Sequence, residues 1–367
     1  MSKFIPISAP SITDIEIKLV TAAVKSKWVS SLGEYIDRFE TEFANFCGTR
    51  FAIATSNGTT ALHLALVAAG VGPGDEVIIP DFTFVATANA VTYTGAIPVL
   101  VDIDAATLCI DPERVRQAVT PRTKAIIPVH IFGHPADMRA IEKISKEYSL
   151  LVFEDAAEAH GAEINGRRVG SFGMCAAFSF YGNKIITCGE GGMITTNNEE
   201  FCLRARHLRD HAMSKARRYW HDAVGFNYRM TNLQASLGVA QMGRIEEILS
   251  KKRKIFELYR QGLKGHPCGV VNQTAEGAKN VYWMVYFRIL GMTDERRADI
   301  MERLRNFGID SRPFFYPLSD MPMYAGMPSD TPVTHRIHAE GFCLPSYFDL
   351  TEDDVARICQ IMWEIVV

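Results

Sequence analysis

From about residue 50 the chain alternates short, continuously apolar runs with longer stretches whose apolar positions recur at helical spacing. Phe51–Thr55, Glu76–Pro80, Ile97–Val101, Thr123–His130, Leu150–Glu154, Ala176–Phe180 and Gly192–Thr196 predict strands. Thr60–Ala69, Phe84–Tyr93, Pro112–Val119 and Asp137–Tyr148 predict helices between them, with Asp111 capping the third. A strand that is apolar along its whole length is covered on both faces. The pattern therefore predicts an α/β fold with a mostly parallel sheet between two helical layers. Ligands in such sheets gather beyond the carboxyl ends of the strands. Ser56, Asp81, His130 and Asp155 all fall there.

A longer helical pattern from Asn232 to about Leu263 predicts a connector with a break near Ser250. Beyond it the order of elements changes. Val281–Ile289 predicts a strand, Asp294–Phe307 a helix closed by Gly308, and Val355–Val366 a last amphipathic helix. The expected division is a large domain over residues 1–245 and a small α+β domain over 246–367. A chain of 367 residues is long for one core and suits two.

Composition narrows the function. Lys and Arg number 39 against 42 Asp and Glu, a net charge of −3, without the basic surplus expected of a nucleic-acid or anionic-membrane binder. No apolar run approaches the roughly 20 residues that span a bilayer. The first residues lack the apolar core of a secretory signal. Eight cysteines occur without a Cys-x-x-Cys pair, as reduced thiols would. The expectation is a cytoplasmic enzyme with neither a nucleic-acid nor a membrane partner.

The candidate chemistry rests on Lys184 and Asp155. Lys184 follows the apolar run Phe178-Ser-Phe-Tyr181 at a glycine-flanked turn, where burial favours a free amine able to form an imine. Asp155 closes the run Leu150–Glu154, where a carboxylate can keep a pyridine nitrogen protonated. Together these are what pyridoxal 5'-phosphate (PLP) needs from a protein. Each has a plainer reading, a surface turn for the lysine and a helix cap for the aspartate.

Glu158, within a turn of Asp155, faces the ring or its phenolic oxygen in this reading. Gly58, Thr59 and Thr60 at a helix start, with Ser179, offer donors for a phosphate. Phe82 or Phe84 is the candidate to stack on the ring. The pairs His207/His211 and His130/His134 have zinc-ligand spacing but no third ligand in a recognised pattern, so no metal is expected. No Gly-x-Gly-x-x-Gly follows the first strand and no Gly-x-Ser-x-Gly occurs, which disfavours a nicotinamide enzyme and a serine hydrolase.

Several stretches carry a resemblance. They are Trp28-Val-Ser-Ser-Leu-Gly33, Ser56-Asn-Gly-Thr-Thr-Ala-Leu-His-Leu-Ala65, Gly72-Pro-Gly-Asp-Glu-Val77, Pro128-Val-His130, Glu154-Asp-Ala-Ala-Glu-Ala159, Phe178-Ser-Phe-Tyr-Gly-Asn-Lys184, Gly189-Glu-Gly-Gly-Met193 and Gly225-Phe-Asn-Tyr-Arg-Met-Thr-Asn232. In combination the chain resembles the DegT/DnrJ/EryC1/StrS family of PLP-dependent nucleotide-sugar aminotransferases. The resemblance implies an aspartate-aminotransferase-like (type I) fold and a homodimer with shared active sites.

It also implies roles. Lys184 is the Schiff-base lysine and proton shuttle, and Asp155 pairs with the pyridine nitrogen. Thr59, Thr60 and Ser179 hold the phosphate, and Asn227 reaches the phosphate of the neighbouring subunit. Glu158 stands where many members carry glutamine or histidine. Arg218-Tyr-Trp-His221, Ser311-Arg-Pro-Phe-Phe-Tyr-Pro317 and Met321-Pro-Met-Tyr324 are similar to members that aminate C4 of GDP-4-keto-6-deoxymannose for surface polysaccharide such as O-antigen, with L-glutamate as donor. Tyr181 and Asp81-Phe-Thr-Phe84 depart from the usual phrasing. Trp28, His221, Arg312 and Tyr316 are the expected lining of the sugar-nucleotide site. Rival readings are transfer to another nucleotide-linked keto sugar, dehydration at C3 by a relative with histidine in place of the lysine, and a non-catalytic PLP sensor.

Overall fold

The computed structural model describes residues 4–366. Its main sheet has seven strands: β1 (Phe51–Thr55), β2 (Glu76–Pro80), β3 (Ile97–Val101), β4 (Thr123–Ile126), β5 (Leu151–Asp155), β6 (Cys175–Ser179) and β7 (Gly192–Thr196). Their order is β1-β7-β6-β5-β4-β2-β3. Pairings from β6 through β5, β4 and β2 to β3 are parallel. β7 runs antiparallel to both its neighbours. The sheet is therefore mostly parallel, with one reversed strand between β1 and β6.

Side chains alternate across the sheet with the period of two that a pleated strand imposes. Ala52, Ala54, Ile78, Val152, Ala176 and Phe178 face one core, shared with the helices Glu34–Cys47, Met138–Tyr148 and Asn232–Met242. Ile53, Val77, Ile79, Phe153 and Ala177 face the other, shared with Gly58–Ala68, Ala86–Tyr93 and Glu199–Arg209. Burial on both sides is why these runs are apolar throughout.

A second, antiparallel sheet comprises Gly269–Val271, Val285–Ile289, Gly341–Leu344 and Arg312–Pro313, in that order. With the helices Ile245–Gly262, Asp294–Asn306 and Glu352–Ile365 it encloses a third core around Tyr259, Phe287, Leu304, Phe342 and Met362. Among the described residues no helix is long and apolar enough to cross a membrane. All eight cysteines are free thiols.

The structure departs from the sequence reading in several places. The connector breaks at Gly243–Arg244 and runs unbroken through Ser250. The break is set by tertiary contacts: the Arg244 guanidinium pairs with Glu16 at 3.1 Å and Glu247 at 3.1 Å. The strand expected from Val281 starts at Val285, because Tyr282 lies in the left-handed region at φ 50°. The helices Asp14–Ser26 and Glu34–Cys47 were not anticipated; both pack on Asn232–Met242.

Candidate active site

Three strand ends meet at one edge. Gly192 of β7 lies opposite Thr55 of β1 on one side and Ser179 of β6 on the other. A Cβ on Gly192 would stand 2.2 Å from the Asn57 carbonyl oxygen, so only glycine lets the chain leave β1 here. Asn57 then caps the helix Gly58–Ala68. Its Oδ1 accepts from the Thr60 N–H at 2.9 Å, and Thr60 Oγ1 accepts from the Asn57 N–H at 3.1 Å. A Cβ on Gly58 would come within 2.8 Å of the Ser179 Cβ. The first-turn N–H groups and the Ser179 hydroxyl thus converge on one spot, a ready anion cradle.

Asp155 ends β5. Its Oδ2 accepts from Thr87 Oγ1 at 2.8 Å, and its Oδ1 from the Ala157 N–H at 3.2 Å. Burial pushes its carboxyl above the ordinary value, and these donors, with Lys184, only partly pull it back. Glu154, one residue earlier, turns to the other face. It accepts from the N–H groups of Gly170 and Phe172 and from His130 Nε2 at 3.0 Å. The Ala136 N–H donates to His130 Nδ1 at 3.0 Å, which leaves the imidazole proton on Nε2. His130 is therefore a fully buried structural group.

Lys184 follows a tight turn closed by its N–H to the Tyr181 carbonyl at 2.9 Å. Its Nζ lies 3.5 Å from Glu158 Oε1 and 4.1 Å from the centre of the Trp283 ring. Glu158 Oε2 accepts the Phe132 N–H at 2.8 Å. Burial raises the Glu158 carboxyl, and Lys184 and the Phe132 N–H oppose that rise. The Trp283 indole N–H donates to the Asn183 carbonyl at 2.8 Å, gripping the residue before the lysine.

These groups border a cavity of about 610 Å³. Of the residues anticipated from sequence, it brings together Gly58, Thr59, Thr60, Asp155, Glu158, Ser179, Lys184 and Arg312. Phe82 lies behind the wall, fully buried among Phe132, Phe314 and Phe315. Phe84 is the one that lines the cavity. Trp28, His221, Asn227 and Tyr316 are exposed and outside the lining. The Trp28 carbonyl accepts from Asn232 Nδ2, His221 Nδ1 contacts the His211 carbonyl, and Asn227 Oδ1 accepts from Arg229. Tyr316 borders a separate hollow beside Arg297.

Sequence reasoning missed Thr87, Glu190 and Trp283, which also line the cavity. Glu190 was visible within Gly189-Glu-Gly-Gly192. Trp283 arrives from a distant segment, and no local pattern marks it. Of the histidine pairs, His207 lies in the last turn of the helix Glu199–Arg209 while His211 lies past it in left-handed backbone. No three-residue metal-binding cluster occurs among the described residues.

The model of the DegT/DnrJ/EryC1/StrS aminotransferase family matches residues 10–363. The chain belongs to this family. It is 45% identical over 365 residues to a GDP-perosamine synthase of Caulobacter vibrioides, covering 99% of this chain and 98% of that one. Its structure superposes on that of a 3-amino-5-hydroxybenzoic acid synthase with a TM-score of 0.94, 34% identity, and coverage of 100% and 99%. The PLP form of a putative sugar aminotransferase, Spr1654 of Streptococcus pneumoniae, gives a TM-score of 0.93 at 28% identity, covering 99% and 98%. The protein is thus an enzyme, an aminotransferase of the DegT/DnrJ/EryC1/StrS family, and its α/β fold with a mixed main sheet is that of the family's solved structures.

Proposed function

We propose that this aminotransferase uses PLP to move an amino group from L-glutamate to C4 of GDP-4-keto-6-deoxymannose, giving GDP-perosamine for surface polysaccharide. The observation that carries the reading is the meeting of Lys184, Asp155 and the Gly58–Ser179 cradle in one cavity. The identity shared with a GDP-perosamine synthase supports the choice of sugar.

The residues present fit the cofactor. Asp155 is a carboxylate whose pKa burial raises, and a protonated pyridine nitrogen would give it a counter-charge. Gly58, Thr59, Thr60 and Ser179 would hold the phosphate at the helix start. PLP, when bound, supplies an electrophilic carbon and an electron-accepting ring. Lys184 would take the proton from Cα of glutamate and return one to C4 of the sugar. Glu158 would anchor the lysine between these steps. Phe84 and Trp283 would keep water from the reacting carbons.

Arg312 would meet the sugar nucleotide inside the cavity. Trp28, His221 and Tyr316 would meet it from the rim. Asn227, exposed here, would reach the phosphate in the neighbouring subunit of a homodimer. The eight free thiols support a cytoplasmic setting. Two domains, 1–245 and 246–367, would divide just past the Gly243–Arg244 break, at the start of the helix Ile245–Gly262.

The test is direct. Purified protein should bleach from yellow with glutamate and then aminate GDP-4-keto-6-deoxymannose in preference to dTDP- and UDP-linked keto sugars. Borohydride followed by peptide mapping should tag Lys184, and Lys184→Ala should neither be tagged nor turn over. A tag on another lysine overturns the site, and preference for another nucleotide overturns the substrate.

A further inference from the structure

Lys252 occupies a position that the helix pattern reserves for an apolar side chain. On Ile245–Gly262 the buried stripe comprises Ile248, Leu249, Ile255, Phe256 and Tyr259, and Lys252 lies within it. The lysine is buried, yet its acceptors are all uncharged. Its Nζ donates to the Trp283 carbonyl at 2.7 Å, to Ser346 Oγ at 3.1 Å, and to the Ser346 carbonyl. Three acceptors match the three donors of an ammonium group. Burying an amine without a counter-charge is costly, and burial pushes this one down to about 7. A methionine of similar length would remove the buried charge but take this donor from the Trp283 and Ser346 carbonyls.

What these contacts hold is a turn. Tyr282, just before Trp283, has φ 50°, a backbone region that a bulky residue occupies only when held there. The helix holds the turn twice. The Tyr282 ring stacks on Phe256 with centroids 3.7 Å apart, and Lys252, one helical turn earlier, grips the Trp283 carbonyl. On the far side of the turn the Trp283 indole lies against the Lys184 amine and donates to the Asn183 carbonyl.

We infer that Lys252 is a positioning residue for the active amine, acting through the main chain of Trp283 to hold the indole against Lys184. This rests on Lys184 being the reacting lysine, and its test is separable from the proposed reaction. In cofactor-free protein, acetylation of Lys184 can be followed by peptide mass spectrometry, with exposed Lys254 as the internal reference. Lys252→Met is expected to speed Lys184 labelling about threefold, the effect of losing a cation–π contact. In holoenzyme it is expected to lower kcat by about 10- to 100-fold while leaving KM for the sugar nucleotide within about twofold.

Lys252→Gln, which keeps an amide donor, is expected to recover part of both effects. A double-mutant cycle with Trp283→Phe is expected to be non-additive. Additive effects, or unchanged Lys184 labelling in a folded variant, overturn the inference. Should Lys252→Met fail to fold, Ser346→Ala decides. It keeps the lysine and both carbonyls, and is expected to shift labelling in the same direction by a smaller amount. No shift there overturns the inference too. Absence of amino transfer by the wild-type enzyme would refute the proposed reaction while leaving the labelling result intact.

Discussion

Glu158 ties the Lys184 amine to the backbone of Phe132: one carboxylate oxygen lies 3.5 Å from Nζ, the other accepts the Phe132 N–H at 2.8 Å. The carboxylate therefore has a fixed direction, and the lysine has a fixed place to rest.

Glu158→Gln keeps an oxygen for Phe132 and removes the charge beside Lys184. Burial raises the Glu158 carboxyl above the ordinary glutamate value, so its protonation begins at a higher pH than for an exposed glutamate. In wild type, kcat is expected to fall on the acid side as that charge is lost. The variant is expected to lose this limb of the profile and to run about tenfold slower near neutrality. Measuring kcat from pH 5 to 8 checks both, and an unchanged profile would show that the charge is not used.

Asp155→Asn separates folding from cofactor binding. The folded carboxyl titrates above the unfolded one, so the folded state binds the proton more tightly. Its contribution to stability is present at low pH and is lost as pH rises from the unfolded value through the raised folded value. At neutral pH the buried charge is a cost to the empty protein. Thermal melting of cofactor-free Asp155→Asn at pH 7 is expected to match or exceed wild type. PLP retention, read by equilibrium dialysis, is expected to weaken on the order of 100-fold, as when one partner of a buried pair is removed.

Lys252 gives a pH signature of the opposite kind. Its folded value is about 7 against 10.5 for the free side chain, and Cys343, on the strand Gly341–Leu344, is the titratable group that bears on it. Between these values the unfolded chain binds the additional proton. Stability should therefore rise with pH across that window, and below it the full cost of the buried cation stands. Melting curves from pH 6 to 9 are expected to rise more steeply for wild type than for Lys252→Met. Parallel curves would show that the amine is not perturbed.

Gly192→Ala places a methyl group against the Asn57 backbone. The strand must shift to admit it, at a cost of about 1–3 kcal/mol typical of overpacking. Denaturant unfolding measures the loss. A second expected effect is weaker PLP retention, because the displaced loop carries the anion cradle.

The main sheet was legible because burial on both faces writes each strand as an unbroken apolar run. Direction was not legible: Gly192–Thr196 reads like the parallel strands of the sheet, and only its antiparallel pairings with Phe51–Thr55 and Cys175–Ser179 show it reversed. The Asn232–Leu263 pattern gave the connector but misplaced its break, since Gly243–Arg244 is fixed by Glu16, far off in sequence. Phe82 and Phe84 could not be told apart, because both are apolar and two residues apart on a loop. Trp283 carries no local signal for its place against Lys184, nor Lys252 for its place against the Trp283 carbonyl. Lys252 stands in the basic run Lys251-Lys-Arg-Lys254, a pattern typical of a solvated helix face, and only the fold shows it buried.

The row Thr55, Gly192, Ser179 crosses three strands, one of them reversed, and the anion cradle exists only while that row is aligned. A slip of one residue between β6 and β7 would turn the Ser179 hydroxyl toward the opposite layer. Uptake of the vitamin-derived coenzyme is thus a gauge of correct assembly. Yellow colour per mole of chain would report misregistered molecules that circular dichroism, sensitive mainly to helix and strand content, would count as native.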